Sequence, residues 1–370
     1  MMKERVGIYV HIPFCEKKCN YCSFYSVAEK ENVIDEYVNE LIFEIIAAAK
    51  AYPDKTISTL YVGGGTPSLL SINQFSRIVN AIGKYFHLDL TEFTVEVNPN
   101  SASQIAEYRK FGVDRISVGV QSTDDAILRK LGRLHTADEA VSTLEKAAEH
   151  YPKVNADLIL GVEEKQDVLA DFSTILPYVN HLSAYLLSVE NGTPLKQAID
   201  EKKISVATED GVIEQYNELY FLCRDHDLYR YEVSNFSRLG AESKHNLNYW
   251  SLGEYIGFGP GAHSYMNGVR YYNRPSITQY LAGKNFAYGG EVKERKASLE
   301  EDKKEYIMLA LRTAHGVDFS DYFARFKEDF LSTFYEKIKK MDEYLFVTDH
   351  NLGIRPQYFL VQNAIIGELL

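Results

Sequence analysis

Residues 11–26 read HIPFCEKKCNYCSFYS and hold three of the four cysteines in this 370-residue chain. The three are spaced C-x-x-x-C-x-x-C, at Cys15, Cys19 and Cys22. A closed structural metal site usually takes four protein ligands, so three thiols leave one coordination position for something else. Two kinds of site satisfy this pattern: a zinc site completed by His11, and a [4Fe-4S] cluster with one open iron.

Composition and charge limit the protein class. The formal net charge is -12, with 45% hydrophobic and 25% charged residues, which is typical of a globular protein and gives no basic surface for nucleic acid. The first residues run directly into a strand-like segment without an apolar signal core. We therefore expect a cytoplasmic chain with reduced thiols, in which the distant Cys223 is a buried apolar residue.

Six apolar, β-branched segments alternate with helical patterns in the first half of the chain. The segments are 5–12, 58–64, 92–97, 113–120, 153–161 and 181–187. Helical spacing is clear at 35–50, 73–86 and 103–112. Six strand–helix units in series predict an α/β fold with parallel strands, as a barrel or an open sheet.

Glycine-rich or polar residues stand where these strands end. They are the cysteine segment, Gly63-Gly64-Gly65-Thr66-Pro67, Glu96, Gln121 and Asp157. The carboxyl ends of parallel strands meet at one edge, where functional groups collect. We therefore expect these residues to surround one site.

The alternation ends near residue 190, and three regions are predicted: 1–190 as the barrel, 191–290 as its extension and 291–370 as a separate C-terminal domain. In the extension, 208–227 reads as a long helix and 229–236 as a strand, whereas the glycines of 244–265 indicate loops. The C-terminal region shows amphipathic helices and a β-hairpin turning at Asn351 and Gly353. This pattern predicts a winged-helix-like domain that serves as a lid or docking module.

Several motifs in this order resemble the radical S-adenosylmethionine superfamily, in its coproporphyrinogen III oxidase-like branch. They are YVHIPFC, the cysteine triplet, GGGTP, TVEVNP, SVGVQS and NADLILG. The resemblance favours the [4Fe-4S] cluster over zinc and implies a partial (β/α)6 TIM-like barrel with a HemN-type C-terminal domain. It also implies that S-adenosylmethionine binds the open iron.

By motif position, the resemblance assigns cofactor contacts along the strand ends. They fall on Tyr9, Tyr21, Gly64, Gly65, Thr66, Glu96, Gln121, Arg133 and Asp157. Glycine lets backbone groups approach a ligand closely, carboxylates suit ribose hydroxyls or an ammonium, and Gln121 and Arg133 offer hydrogen-bond donors. Arg133 is placed only by its spacing after Gln121.

Two features indicate the branch within this superfamily. The oxidase carries a further cysteine two places after the triplet, where this chain has Phe24. Residues 245–250 read HNLNYW, an H-N-x-x-Y-W motif that resembles the haem chaperones of the HemW family. Imidazole is a common haem ligand and aromatic rings can line a porphyrin face, although a histidine among aromatics is also a common core residue. The haem-site candidates are His245, Asn246, Tyr249 and Trp250.

These features predict a haem chaperone that binds a [4Fe-4S] cluster, S-adenosylmethionine and haem. The expected partners are haem-accepting proteins, including membrane respiratory enzymes, and an electron donor such as flavodoxin or ferredoxin. The expected location is the cytoplasm, or the membrane periphery. Two enzymatic alternatives use the same cluster: oxygen-independent coproporphyrinogen III oxidation, and radical opening of the haem ring.

Overall fold

The computed structural model describes residues 5–28, 33–283 and 298–370. The strands are β1 (Arg5–Ile12), β2 (Phe14–Cys15), β3 (Val27–Ala28), β4 (Thr56–Gly64), β5 (His87–Val97), β6 (Arg115–Gln121), β7 (Lys153–Leu160), β8 (His181–Leu186), β9 (Tyr229–Arg230), β10 (Asn235–Ser237), β11 (Tyr255–Phe258), β12 (His263–Met266), β13 (Val269–Tyr272), β14 (Val317–Asp318), β15 (Leu345–Val347) and β16 (Asn351–Ile354). The α-helices are α1 (Ile34–Ala51), α2 (Ile72–Tyr85), α3 (Asp125–Leu131), α4 (Ala137–His150), α5 (Val168–Ile175), α6 (Pro194–Asp200), α7 (Glu209–Asp225), α8 (Lys244–Trp250), α9 (Ile277–Leu281), α10 (Leu299–Ala310), α11 (Phe319–Phe326), α12 (Phe330–Lys340) and α13 (Gln362–Leu369). A 3₁₀ helix spans Pro99–Phe111.

The six predicted strands are confirmed as β1, β4, β5, β6, β7 and β8, which are neighbours in that order and pair in parallel. Their apolar runs are buried on both faces, as the fully buried β6 illustrates. The intervening helices cover the sheet, and α2 begins with a capping box between Ser71 and Gln74. This arrangement confirms the α/β class and brings the six carboxyl ends together.

The expectation of loops across 244–265 is wrong. This segment contains α8, β11 and the start of β12, and β11 pairs in parallel with β1 on the side opposite β4. Gly257 lies within β11. Glycine is required there because a Cβ would stand 2.0 Å from the carbonyl oxygen of His263 and would keep β12 from approaching. The sheet of the described residues therefore has eleven strands, in the order β13-β12-β11-β1-β4-β5-β6-β7-β8-β10-β9.

The interior of the barrel half is a continuous apolar core that includes Cys223, confirmed as fully buried. Glu44, an ionisable residue on α1, is fully buried. The Glu44 carboxylate on α1 accepts hydrogen bonds from the backbone N–H of Gly259, the amide of Asn273 and the hydroxyl of Tyr280. Glu44 thus ties α1 to the loop after β11 and to α9.

The C-terminal residues, together with Leu252 and Tyr265, form a second core. Three short strands of this region pair in the order β14-β16-β15. The predicted hairpin is present, but its turn precedes Asn351, because Thr348 and Asn351 hydrogen-bond across 348–350. Gly353 lies inside β16, where the Phe346 ring covers it. The boundary predicted at residues 290 and 291 lies outside the described residues. Within the part of the chain that is described, no helix is long and apolar enough to cross a bilayer.

Candidate functional site

The three cysteines of the motif line one cavity of about 480 Å³ at the carboxyl ends of the barrel strands. Cys15 ends the short strand β2, and Cys19 and Cys22 follow in the loop. The backbone N–H of Asn20 donates to the carbonyl of Leu131, which anchors this loop to the end of α3. All three thiols are free and half-buried. Three unpaired thiols at one cavity wall fit a group that binds thiolates.

A hydrogen-bonded chain that includes two lining residues of the cavity joins two of these thiols. Arg133 Nη1 donates to Cys19 Sγ at 3.5 Å, and Arg133 Nη2 donates to Asn98 Oδ1 at 2.8 Å. Asn98 Nδ2 donates to Thr66 Oγ1 at 2.8 Å, and Thr66 Oγ1 donates to Cys15 Sγ at 3.7 Å. Sequence reasoning did not assign Asn98, although it stands inside the TVEVNP motif.

Burial raises the pKa of the Cys15 and Cys22 thiols. Without a compensating cation these groups stay protonated near neutral pH, whereas a bound metal would take them as thiolates. The cavity thus favours the thiolate state only when a positively charged group is bound.

The structure does not place His11 as the fourth ligand of a zinc ion. His11 Nε2 donates to the carbonyl of Tyr25 and Nδ1 accepts from the hydroxyl of Tyr9, both at 2.9 Å, so neither ring nitrogen faces the thiols. Among the residues described, no three His, Cys, Asp or Glu side chains are grouped to hold a single metal ion. An iron–sulfur cluster instead takes one thiolate on each of three irons, so it does not require the three thiols to meet at a single ion.

The glycine turn at the end of β4 lets three groups approach it closely. A Cβ on Gly63 would lie 2.7 Å from the carboxyl carbon of Glu96, and one on Gly65 would lie 3.0 Å from Cys15 Sγ. Gly64 has a φ of 110°, and a Cβ there would lie 2.4 Å from His11 Nδ1. The turn therefore requires glycine for space and, at Gly64, also for its backbone conformation.

Two carboxylates face the cavity, Glu96 from β5 and Asp157 from β7, the strands on either side of β6. Glu96 accepts from the hydroxyl of Tyr61 at 2.7 Å and from the backbone N–H of Gly64 at 2.9 Å. Asp157 accepts from the amide of Asn155 at 2.8 Å. Burial raises the pKa of both carboxyls, and the negative charge of Asp157 raises the pKa of Glu96 further. An ammonium or hydroxyl donor in the cavity would stabilise their ionised forms.

Gln121 ends β6 with a φ of 70°, which is unusual for a residue other than glycine. The next two residues hold this conformation: the hydroxyl of Ser122 and the backbone N–H of Thr123 donate to the buried carboxylate of Asp171. Gln121 lines the cysteine cavity, as do Tyr21 and Arg133. Strained backbone persists where the surrounding structure overdetermines it, often at functional sites.

The structure thus brings most of the predicted cofactor contacts together. Those lining the cysteine cavity are Tyr21, Gly64, Gly65, Glu96, Gln121, Arg133 and Asp157. Thr66 does not line the cavity, but its hydroxyl donates a hydrogen bond to Cys15, which does. Tyr9 lines the neighbouring cavity instead. Tyr185, which sequence reasoning did not assign, lines both cavities.

The second cavity has a volume of about 660 Å³, and tyrosine is the most frequent residue in its lining, with seven rings. It shares part of its wall with the cysteine cavity: Ser23, Phe24, Gly64, Glu96 and Tyr185 line both. Phe24, at the position of the further cysteine expected in an oxidase, is 70% exposed between the two. A flat aromatic ligand in the second cavity would lie beside any group held by the thiols.

The predicted haem-site residues do not all face this space. His245, Asn246 and Tyr249 line the second cavity, whereas Trp250 lines a separate cleft. The carboxylate of Glu92 accepts from the Ser243 hydroxyl and from the backbone N–H groups of residues 244 and 245, which fixes the start of α8.

His245 itself is 1% exposed. Its Nδ1 hydrogen-bonds Thr59 Oγ1 at 2.8 Å, its Nε2 hydrogen-bonds the hydroxyl of Tyr249 at 2.7 Å, and its ring stacks on Tyr61. Burial lowers its pKa to about 3, so the imidazole is neutral. Ligation of haem iron by His245 would first require one of these hydrogen bonds to break, and its assignment as a ligand remains a prediction.

Comparison with known proteins identifies the family to which the chain belongs. The radical SAM superfamily profile matches residues 9–172. The chain is 34% identical over 320 residues to the protein named heme chaperone HemW of Bacillus subtilis (strain 168), covering 84% of each chain. The chain belongs to the HemW family of the radical SAM superfamily.

A mitochondrial relative of this HemW-family chain is the mouse radical S-adenosyl methionine domain-containing protein 1, 35% identical over 85% of this chain and 74% of the relative. Among solved structures, coproporphyrinogen III oxidase (HemN) from Escherichia coli matches with a TM-score of 0.81 at 20% identity, covering 99% of this chain and 90% of that chain. That likeness confirms the fold, including the predicted radical SAM barrel with a HemN-type C-terminal region.

Proposed function

We propose that this protein is a haem chaperone that holds a [4Fe-4S] cluster and S-adenosylmethionine in the cysteine cavity and carries haem in the adjoining tyrosine-lined cavity. The structural observation that carries the proposal is the wall shared by the two cavities. Similarity over 84% and 92% of this chain to two proteins named heme chaperone HemW supports the same function.

The residues of the cysteine cavity have distinct roles in this proposal. Cys15, Cys19 and Cys22 hold the cluster, which when bound supplies an electron that can cleave the C–S bond of the sulfonium. The carboxylates of Glu96 and Asp157 accept hydrogen bonds from the amino group or ribose hydroxyls of S-adenosylmethionine.

Two further residues that line the cavity offer hydrogen-bond donors. Arg133 and Gln121 bind the carboxylate and hydroxyl oxygens of S-adenosylmethionine. The bare backbone at Gly64 and Gly65 admits the cofactor without a steric clash.

The same proposal extends to partners. Haem would be delivered to haem proteins, including respiratory enzymes at the membrane, and the cluster would be reduced by flavodoxin or ferredoxin. The protein would work in the cytoplasm or at the membrane periphery. Phe24 favours carriage over decarboxylation, because an aromatic ring between the cavities offers neither a thiol nor an acid–base group.

Anaerobic titration of cluster-loaded protein with ferric haem tests this function. We expect saturable binding of about one haem per chain, seen as a Soret difference spectrum, and we expect it to persist when S-adenosylmethionine is present. Non-saturable haem uptake, indistinguishable from that of an unrelated protein of similar acidity, would contradict the proposal.

A further inference from the structure

A chain of buried hydrogen bonds leads away from Asp157 along the neighbouring strands β7 and β8. Asn155 lies two residues before Asp157 on β7, so both side chains are on the same face of the sheet. His181 begins β8 and is the register partner of Asn155. Asn155 and His181 are 1% and 0% exposed. Burying an amide and an imidazole is costly unless both are hydrogen-bonded, so their partners indicate what the two residues do.

The Asn155 amide holds both oxygens of the Asp157 carboxylate. Its nitrogen donates to Asp157 Oδ1 at 2.8 Å and to Ser117 Oγ at 2.7 Å. The Ser117 hydroxyl donates in turn to Asp157 Oδ2 at 3.3 Å. An ionised carboxylate only accepts hydrogen bonds, so the amide nitrogen must face Asp157 and the amide oxygen must face away from it. A flipped amide would place its oxygen against the carboxylate and would withdraw the donor to Ser117 as well.

His181 makes the hydrogen bond that sets this amide orientation. Its Nδ1 lies 2.6 Å from Asn155 Oδ1, and its Nε2 lies 2.8 Å from the hydroxyl of Tyr231. The Tyr231 oxygen accepts from the backbone N–H of Ser243, so the hydroxyl hydrogen donates to Nε2. Burial and the nearby charge of Arg115 lower the pKa of His181 well below its usual value, so the ring is neutral. Its single N–H is therefore at Nδ1 and donates to the Asn155 oxygen.

A second contact to the same amide oxygen is less selective. The Ser183 hydroxyl donates to Asn155 Oδ1 at 3.2 Å, but a hydroxyl rotates and can equally accept from an amide nitrogen. The Nδ1–H of His181 can only donate while Tyr231 occupies the other ring nitrogen. The orientation of the Asn155 amide therefore depends on His181.

We propose that His181 is a positioning residue for Asp157: through the Asn155 amide it fixes how the Asp157 carboxylate is presented to the cysteine cavity. The inference rests on the proposed function, in which Asp157 accepts hydrogen bonds from S-adenosylmethionine. Asp157 lines that cavity, and each of its oxygens has a further lone pair for a ligand. Burial raises the pKa of Asp157, and hydrogen bonds from this chain, including that of Asn155, oppose the rise. The chain thus orients the carboxylate and favours its ionised form.

Anaerobic isothermal titration of the full-length, cluster-loaded protein with S-adenosylmethionine tests the inference. We expect His181→Leu to weaken affinity roughly tenfold or more, because a hydrogen bond to a charged group loses its geometry. His181→Asn should retain most of the affinity, since its side-chain nitrogen can replace Nδ1–H as the donor. The packing control is Leu182→Ala: Leu182 is the next residue of β8, is equally buried and points to the opposite face. It should lose stability in urea and keep the affinity of the unmodified protein.

A double-mutant cycle shows whether His181 acts through Asp157. Asp157→Asn should weaken affinity roughly tenfold or more by itself. Adding His181→Leu to Asp157→Asn should then change the affinity very little, because the carboxylate that His181 orients is gone. Losses that multiply in the double variant would overturn the positioning role.

Nuclear magnetic resonance of the unmodified protein, with isotope-labelled histidine, checks the tautomer without any cofactor. We expect the ring signal that is missing from His181→Asn to show a neutral imidazole protonated at Nδ1 from about pH 6 to about pH 8. A proton at Nε2, or a charged ring, would overturn the inference. This readout does not require His181→Leu to fold.

The outcomes separate the inference from the proposed function. Unchanged affinity in His181→Leu, or a loss that Leu182→Ala shares, would overturn the positioning role and leave the proposed cofactor site intact. Unchanged affinity in Asp157→Asn would overturn the role of Asp157 in the proposed function, and the inference with it. Circular dichroism establishes that each variant is folded.

Discussion

Arg133 Nη1 donates a hydrogen bond to Cys19 Sγ at 3.5 Å, and the other terminal nitrogen of this guanidinium bonds Asn98. The cation thus stands beside a thiol that is expected to bind iron, and it connects that thiol to the wall that carries Thr66 and Cys15. Hydrogen bonds to cluster sulfurs tune the reduction potential, and a guanidinium also binds carboxylates.

Replacing Arg133 with Gln should lower affinity for S-adenosylmethionine at least tenfold and make the cluster harder to reduce, because one positive charge leaves the cavity. Isothermal titration and a redox titration measure the two effects. The matched control is Arg129→Gln, because Arg129 is exposed on α3, the helix that ends just before Arg133. Equal behaviour of the two variants would remove Arg133 from the site.

The cysteine triplet should be the sole source of cluster ligands. Reconstituted protein should hold about four irons per chain, as a [4Fe-4S] cluster requires, and lose its brown colour in oxygen. Changing Cys15, Cys19 or Cys22 to Ala should abolish the bound iron, whereas Cys223→Ala should retain it because that thiol is buried in the apolar core. Tight stoichiometric zinc without iron would refute the cluster.

Gly64→Ala should impair the cofactor site by more than the conformational cost of a positive φ alone. A positive φ costs a residue with a Cβ about 1 to 3 kcal/mol, and here the added Cβ would also collide with His11. Gly192→Ala is the control, because Gly192 has a φ of 82° with nothing within 4 Å of the added Cβ. We expect both variants to lose thermal stability. Only Gly64→Ala should lose the change that S-adenosylmethionine causes in the electron paramagnetic resonance spectrum of the cluster.

The buried Glu44 should make stability depend on pH. Burial raises its pKa from 4.5 to about 7, so the folded chain binds more protons than the unfolded chain between these values. The free energy of unfolding should therefore fall as pH rises through this window, by at most about 3 kcal/mol, and level off above it. Urea unfolding at pH 5 and pH 8 measures the effect. In Glu44→Gln this contribution should be absent, and an identical pH slope in both proteins would count against the shifted carboxyl.

The six parallel strands could be predicted because strands buried on both faces read as continuous apolar runs. β11 could not, because Gly257 signals a loop locally, and its role emerges only when β12 packs against it. Tertiary contacts also add residues to the site that the sequence did not indicate. The strand-end residues converge on one cavity as expected, whereas His263 and Tyr185 reach the second cavity from segments without a local motif.

His245 illustrates the limit of reading a motif by residue type. An imidazole between two tyrosines suits a haem ligand. The fold buries this one, however, and both of its ring nitrogens are hydrogen-bonded, to Thr59 and to Tyr249. Neither hydrogen bond follows from the H-N-x-x-Y-W spacing alone, because Thr59 comes from a strand 186 residues earlier in the chain.

Haem transfer by the cluster-loaded protein tests the central claim most directly. Protein carrying haem is mixed anaerobically with the haem-free form of a b-type respiratory cytochrome, and the acceptor's Soret and α bands are followed alongside a parallel incubation with coproporphyrinogen III, S-adenosylmethionine and a reductant. The account predicts that the acceptor gains haem faster than it does from an equal concentration of haem on serum albumin, and that no protoporphyrinogen forms. Multiple-turnover decarboxylation of coproporphyrinogen III, with no haem reaching the acceptor, would contradict it.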